Sequence, residues 1–276
     1  MRWPESGALV ALGVFLGLVH GDVRPLRAQE AVDVELILAV DVSLSMSPAE
    51  MEIQRDGYAA ALTHETVIQA IQSGLHGRIA LAYFEWAGNF SHRVVVPWTL
   101  IATAEDAARV AERLNVDPPT SARRTSISGA IDFAADLFAE SGFQGQRRVL
   151  DISGDGPNNQ GRPVTEARDA LVAGGVVING LPLMTRDGLT TTYDVDDLDT
   201  YYAECVIGGP GAFMIPVNDW SQFPEAVRRK LVIELADGDV LRHPSVIRVQ
   251  AAAPYDCLIG EKMWQDRTWI WRRQEP

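Results

Sequence analysis

The sequence is poor in lysine. Only Lys230 and Lys262 occur in 276 residues, and 37 Asp+Glu against 24 Lys+Arg give a formal net charge of −13. Binding to a nucleic-acid backbone runs on neutralising many phosphates, so this balance argues against DNA or RNA as a partner. It favours solubility and cation binding. Cysteine is equally scarce, at two, which excludes a small disulfide scaffold. Beyond the N-terminus no stretch approaches the roughly 18 clean apolar residues of a membrane-spanning helix. His20, His64, His76, His92 and His243 form no i,i+4 ligand pair, and the chain has no G-x-S-x-G elbow, P-loop or H-E-x-x-H. Common hydrolase and zinc-peptidase signatures are therefore missing. What is present, 47% hydrophobic and 22% charged, is the composition of a globular chain able to bury a full core.

Residues 8–19 (ALVALGVFLGLV) are uncharged and mostly apolar behind Arg2. That run is too short to span a bilayer comfortably and has the length of a signal-peptide core. Residues 1–28 are expected to be a signal peptide, cleaved after Ala28 in preference to Gly21, with no stable membrane insertion afterwards. The chain is expected to be exported, either periplasmic or fully secreted. In an oxidising compartment the even pair Cys205 and Cys257 reads first as one disulfide, with two buried thiols as the alternative.

Past residue 30 strand and helix patterns alternate. Strands are expected over 34–40, 78–86, 92–96 (closed by Pro97), 147–152, 176–181 and 212–217. Helices are expected over 48–63, 64–72, 103–114, from Thr125 to about 138, 164–173, 196–205 and up to 236. Ser47-Pro48-Ala49-Glu50 is a capping box with Pro at the first helical position. This order predicts a doubly wound α/β domain over 31–236, its sheet mostly parallel with helices on both faces. Residues 237–276 break the alternation and are expected to be a short, disulfide-tethered extension. In such sheets ligands bind beyond the carboxyl ends of the strands.

The residues just after the strands carry the chemistry. Asp41-Val42-Ser43-Leu44-Ser45 ends the first strand, and side chains two apart in extended chain point the same way. Thr125 opens a helix after a long loop, and Asp155 follows another strand in Gly154-Asp155-Gly156. These five are hard oxygen donors suited to Mg²⁺, Mn²⁺ or Ca²⁺, and none is the His or Cys that zinc prefers.

D-x-S-x-S, then Thr, then Asp in a G-D-G turn resembles the metal-ion-dependent adhesion site (MIDAS) of von Willebrand factor A (vWA) domains. The resemblance extends over about 31–236 and is to a bacterial secreted branch of unknown function. It implies that Ser43, Ser45 and Thr125 contact Mg²⁺ (or Mn²⁺ or Ca²⁺) through hydroxyls. Asp41 and Asp155 would act mostly through water. Neutral direct ligands leave the metal attractive to one more anionic oxygen, and the resemblance implies that a partner protein's Asp or Glu supplies it. Arg123, Arg124, Glu85 and Trp86 are candidates for the rim around that ligand.

Two rival functions come from other classes. Gly154 to Asn159 also looks like the magnesium loop of haloacid-dehalogenase-type phosphatases, with Asp41 as nucleophile. That family needs D-x-D, and this chain has Ser43 and Asn159 where acids are required. The third reading is a structural envelope protein whose metal only stabilises loops. Asp194, Asp196, Asp197 and Asp199 fail the calcium-loop pattern, with Leu198 at the fifth place, and read as charges near a helix N-terminus. Asp151, inside a strand, requires a partner, expected to be an Arg or backbone groups. Trp264, Trp269 and Trp271 are expected to pack back onto the domain, a partner surface being the alternative.

Overall fold

A computed structural model describes residues 29–115, 120–185, 195–236 and 255–273, with side chains described to residue 266. The expected signal peptide, Asp117-Pro118-Pro119, Asp194 and residues 237–254 lie outside the described residues.

Strand β1 (Glu30–Asp41) is buried along nearly its whole length, as its continuous run of apolar residues requires of a central strand. It pairs in parallel with β2 (Ile79–Trp86) on one side and β4 (Phe143–Gly154) on the other. Beyond β4 lies parallel β5 (Val176–Pro182), and beyond β2 lies antiparallel β3 (His92–Ile101), giving the order β3-β2-β1-β4-β5. This is the expected mostly parallel α/β sheet. Pro97 does not close β3. It sits on the edge strand, in the irregular register between Val96 and Thr99, where a missing N–H breaks no ladder bond.

Side chains of β1 alternate between two cores. Val34, Leu36, Leu38 and Val40 join residues of α1 (Pro48–Leu62), α2 (Glu65–Gln72), α3 (Ala104–Leu114) and α7 (Phe223–Leu235) on one face. Ile37 and Ala39 join α4 (Ile127–Ala139), α5 (Val164–Ala173) and α6 (Leu198–Tyr201) on the other. The capping boxes at Ser47/Glu50 and Thr103/Asp106 both form. Each satisfies backbone donors the helix start leaves orphaned. Helix α1 meets α7 so closely that a Cβ on Gly57 would lie 2.5 Å from the Phe223 ring.

Three further features differ from expectation. The segment at 212–217 follows β5 only through single bridges, Gly180 to Met214 and Leu183 to Val217. Pro182 and Pro216 lack the N–H groups a ladder needs. The helix expected over 196–205 is one α turn widening into a π turn over Tyr202–Val206. Among the described residues Asp151 pairs with neither an Arg nor backbone groups. Its Oδ1 lies 2.7 Å from Lys230 Nζ of α7, and both side chains are almost fully buried.

Candidate metal centre

The parallel register brings the carboxyl ends of β1, β2, β4 and β5 to one edge of the sheet, where the following loops gather. Immediately after β1 the chain turns back on itself. Ser43 N–H donates to Asp41 Oδ1 at 2.7 Å, and Gln54 of α1 donates to the Asp41 carbonyl at 3.1 Å. The turn carries the two serine hydroxyls to within 2.9 Å of each other. Ser45 Oγ donates to Asp155 Oδ1 at 2.8 Å. Thus Asp41, Ser43, Ser45 and Asp155 form one connected polar cluster spanning 110 residues of sequence between Ser45 and Asp155.

Thr125 reaches the same edge by a different route. Val42 and Leu44 exchange backbone bonds with Ala122, which ties the 122–125 loop to the serine turn. Asn159 then clamps Thr125 twice: its N–H donates to the Thr125 carbonyl at 2.8 Å, and its Oδ1 accepts from Thr125 N–H at 3.0 Å. The Thr125 side chain is buried. Ser126 caps α4, accepting from Gly129 N–H.

The charge of this cluster is one-sided. Asp41 is fully buried, and burial foremost, then the nearby Asp155 charge, hold its carboxyl well above the usual carboxylate range. Among the described residues its Oδ2 has no hydrogen-bond partner. The Tyr202 hydroxyl is also without one. A Cβ on Gly154 would stand 2.9 Å from that hydroxyl and 3.0 Å from Asp41 Oδ2, so glycine is required where β4 ends. Two electrostatically coupled carboxylates with an orphaned oxygen and neighbouring hydroxyls make a donor set that fits a hard divalent ion. Among the described residues no group of three or more His, Cys, Asp or Glu is arranged to hold a metal. The fit rests on hydroxyls plus the two aspartates.

The rim differs from expectation at Glu85 and Trp86. Glu85 is 2% exposed. Arg55 binds its Oε1 through two nitrogens at 2.8 and 2.6 Å, and Arg93 its Oε2 at 3.1 and 2.8 Å. Trp86 is fully buried against Gly154. Both face the interior because β2 is covered on both sides, so neither faces a ligand. The guanidinium of Arg124 lies 3.4 Å over the Trp264 ring, while Arg123 is exposed. Sequence reasoning missed Asn158, Asn159, Gln54 and Tyr202. The asparagine pair directly after the G-D-G-P turn was the available signal for the first two.

A family model described as "Protein of unknown function (DUF1194)" matches residues 31–239. No curated protein matches the sequence. Among solved structures, proximal thread matrix protein 1 from the mussel byssus, with a zinc-occupied MIDAS motif, superposes with a TM-score of 0.52 at 18% identity. The match covers 75% of this chain and 48% of that one. The von Willebrand factor type A protein from Catenulispora acidiphila gives 0.50 at 13% identity, over 74% and 43%. The pilus adhesin SpaC from Lactobacillus rhamnosus GG gives 0.51 at 11% identity, over 74% and 30%. The chain therefore has the fold of vWA domains and spans less than half the length of each of these proteins.

Proposed function

The chain belongs to the DUF1194 family, and from that premise and the site's donors we propose that it is an exported, divalent-metal-dependent protein-binding module with an intact MIDAS. Residues 1–28 are its signal peptide, 31–236 the binding domain and 237–276 a tethered extension. The observation that carries the reading is the connected cluster of Asp41, Ser43, Ser45 and Asp155, whose buried Asp41 Oδ2 has no partner among the described residues. Ser43, Ser45 and Thr125 would contact the ion directly, and Asp41 and Asp155 would balance its charge through water. Mg²⁺, Mn²⁺ or Ca²⁺ suits these hard oxygens. When bound, the ion supplies a strong attraction for one further anionic oxygen.

The residues do the remaining work. Asn159 holds the Thr125 backbone, Ala122 ties the preceding loop to the serine turn, and Gln54 anchors the end of β1. Ser43 stands where a phosphatase of the rival class needs its acid, so proton transfer to a leaving group has no donor there. The ligand is an Asp or Glu side chain on a partner protein. The vWA-fold neighbours include a pilus adhesin, and the disulfide between Cys205 and Cys257 accords with export. Among the described residues no helix is long and apolar enough to cross a membrane.

The test is capture of partners from envelope extract with Mg²⁺ present. Partners lost on EDTA treatment and with Asp41→Ala or Thr125→Ala support the binding module. The same partners retained under all three conditions overturn it in favour of a structural role. Metal-dependent turnover of phosphate esters, abolished by Asp41→Asn, would instead install the phosphatase.

A further inference from the structure

Helix α8 (Ile259–Arg273) lies beside the candidate metal centre rather than trailing away from the domain. Its start is moored by the Cys205–Cys257 disulfide and by Tyr255, whose hydroxyl donates to Asp197 at 2.9 Å. Tyr255, Cys257 and Ile259 pack against the second core. From there α8 makes two separate contacts with the supports of Thr125.

The first contact is on the N-terminal side of Thr125. Arg124 is the one non-glycine residue at positive φ (78°) among the described residues, a backbone state that persists only where surroundings impose it. The guanidinium carbon lies 3.4 Å from the centroid of the Trp264 ring of α8, in cation–π contact. The second contact runs through Asn158, which is fully buried. Asn158 donates to Glu261 Oε1 at 2.7 Å, accepts from Ser128 N–H, and receives no slack from α8: a Cβ on Gly260 would lie 2.2 Å from the Asn158 carbonyl oxygen. The next residue, Asn159, is the one that clamps Thr125 at both backbone atoms.

We infer that α8 is a clamp on the metal centre, with Trp264, Glu261 and Gly260 as positioning residues that set the Thr125 hydroxyl through Arg124 and Asn158–Asn159. This rests on the metal-site reading above. None of the three touches the ion. Their effect is to hold a ligand in place before the ion arrives, so that the loop need not be ordered on binding.

The experiment is calorimetric titration of Mn²⁺ into the metal-stripped, oxidised full chain. Wild type is compared with Trp264→Ala, Trp264→Phe, Gly260→Ala and, as a control on the same helix, Lys262→Ala. Among the described residues Lys262 pairs with Asp256, in an exposed contact. Trp264→Ala and Gly260→Ala are expected to weaken Mn²⁺ binding on the order of 10-fold, the usual effect of losing a support behind a ligand. Trp264→Phe restores most of it, and Lys262→Ala binds as wild type. Gly260→Ala has the better helix propensity, so its loss of affinity separates clamp geometry from helix stability. Wild-type affinity in both Trp264→Ala and Gly260→Ala overturns the clamp alone. No Mn²⁺ binding by the wild type overturns the metal reading and the clamp together.

Discussion

Between β4, β5 and α7 lies a buried group of two acids and one base. Lys230 Nζ sits 2.7 Å from Asp151 Oδ1 and also bonds Glu234 Oε1, which accepts from Asn179 at 2.8 Å. Two carboxylates share one ammonium out of water, so one acid favours its proton. Burial, then the Asp151 charge, push Glu234 from its usual 4.5 up to about 7. A carboxyl raised in the folded state stabilises fully below its unfolded value, and that stability is lost as pH rises through the folded value. The window is therefore 4.5 to about 7. The loss across it is at most about 3.5 kcal/mol, because each tenfold change in proton affinity is worth about 1.4 kcal/mol. Glu234→Gln keeps an oxygen for Lys230 and Asn179 but cannot ionise. Urea unfolding of both proteins in metal-free buffer from about pH 4 to pH 8 isolates the effect as a difference. The variant gains on the wild type across the window and the gap is constant above it. A flat difference, or one running the other way, refutes the assignment.

Three further outcomes are expected. Lys230→Met leaves Asp151 and Glu234 without their shared cation and destabilises by about 3–5 kcal/mol near neutral pH, less in acid, by the same urea assay. Reducing Cys205–Cys257, which closes a separation of 52 residues, lowers stability by about 4 kcal/mol in the chain-entropy model, read from unfolding with and without a thiol reductant. Gly57→Ala drives a methyl against the buried Phe223 ring, itself edge-on to Tyr58. Thermal unfolding should report a loss of about 1–3 kcal/mol despite alanine's better helix propensity.

Most of the sheet was legible because β1, β2, β5 and the carboxyl-terminal half of β4 are buried on both faces and so are rich in apolar residues. The capped helix starts were legible from Ser47/Glu50 and Thr103/Asp106. Pro97 misled because a proline's meaning depends on whether its strand is an edge, which only pairing decides. Of the proposed oxygen donors, Asp41, Ser43, Ser45 and Asp155 were visible as residues ending or following strands, and Thr125 as one opening a helix. Their supports were not. Asn159 acts on Thr125 across 34 residues, and no local pattern encodes such a bond. Glu85 read as a rim acid for the same reason: its partners Arg55 and Arg93 come from α1 and β3, and they turn an exposed-looking charge into a buried ion pair. Lys230 was hidden likewise, since an amphipathic helix pattern leaves no mark distinguishing a solvated lysine from one facing Asp151.

The most direct test of the account is calorimetric titration of Mg²⁺ into EDTA-stripped protein, with Thr125→Ala and Asp155→Ala variants whose folding is checked by melting. The account predicts one ion bound per wild-type chain, a melting point raised by saturating Mg²⁺, and loss of both effects in each variant. A wild-type chain that takes up no divalent ion, or variants that bind as tightly as wild type, would contradict it.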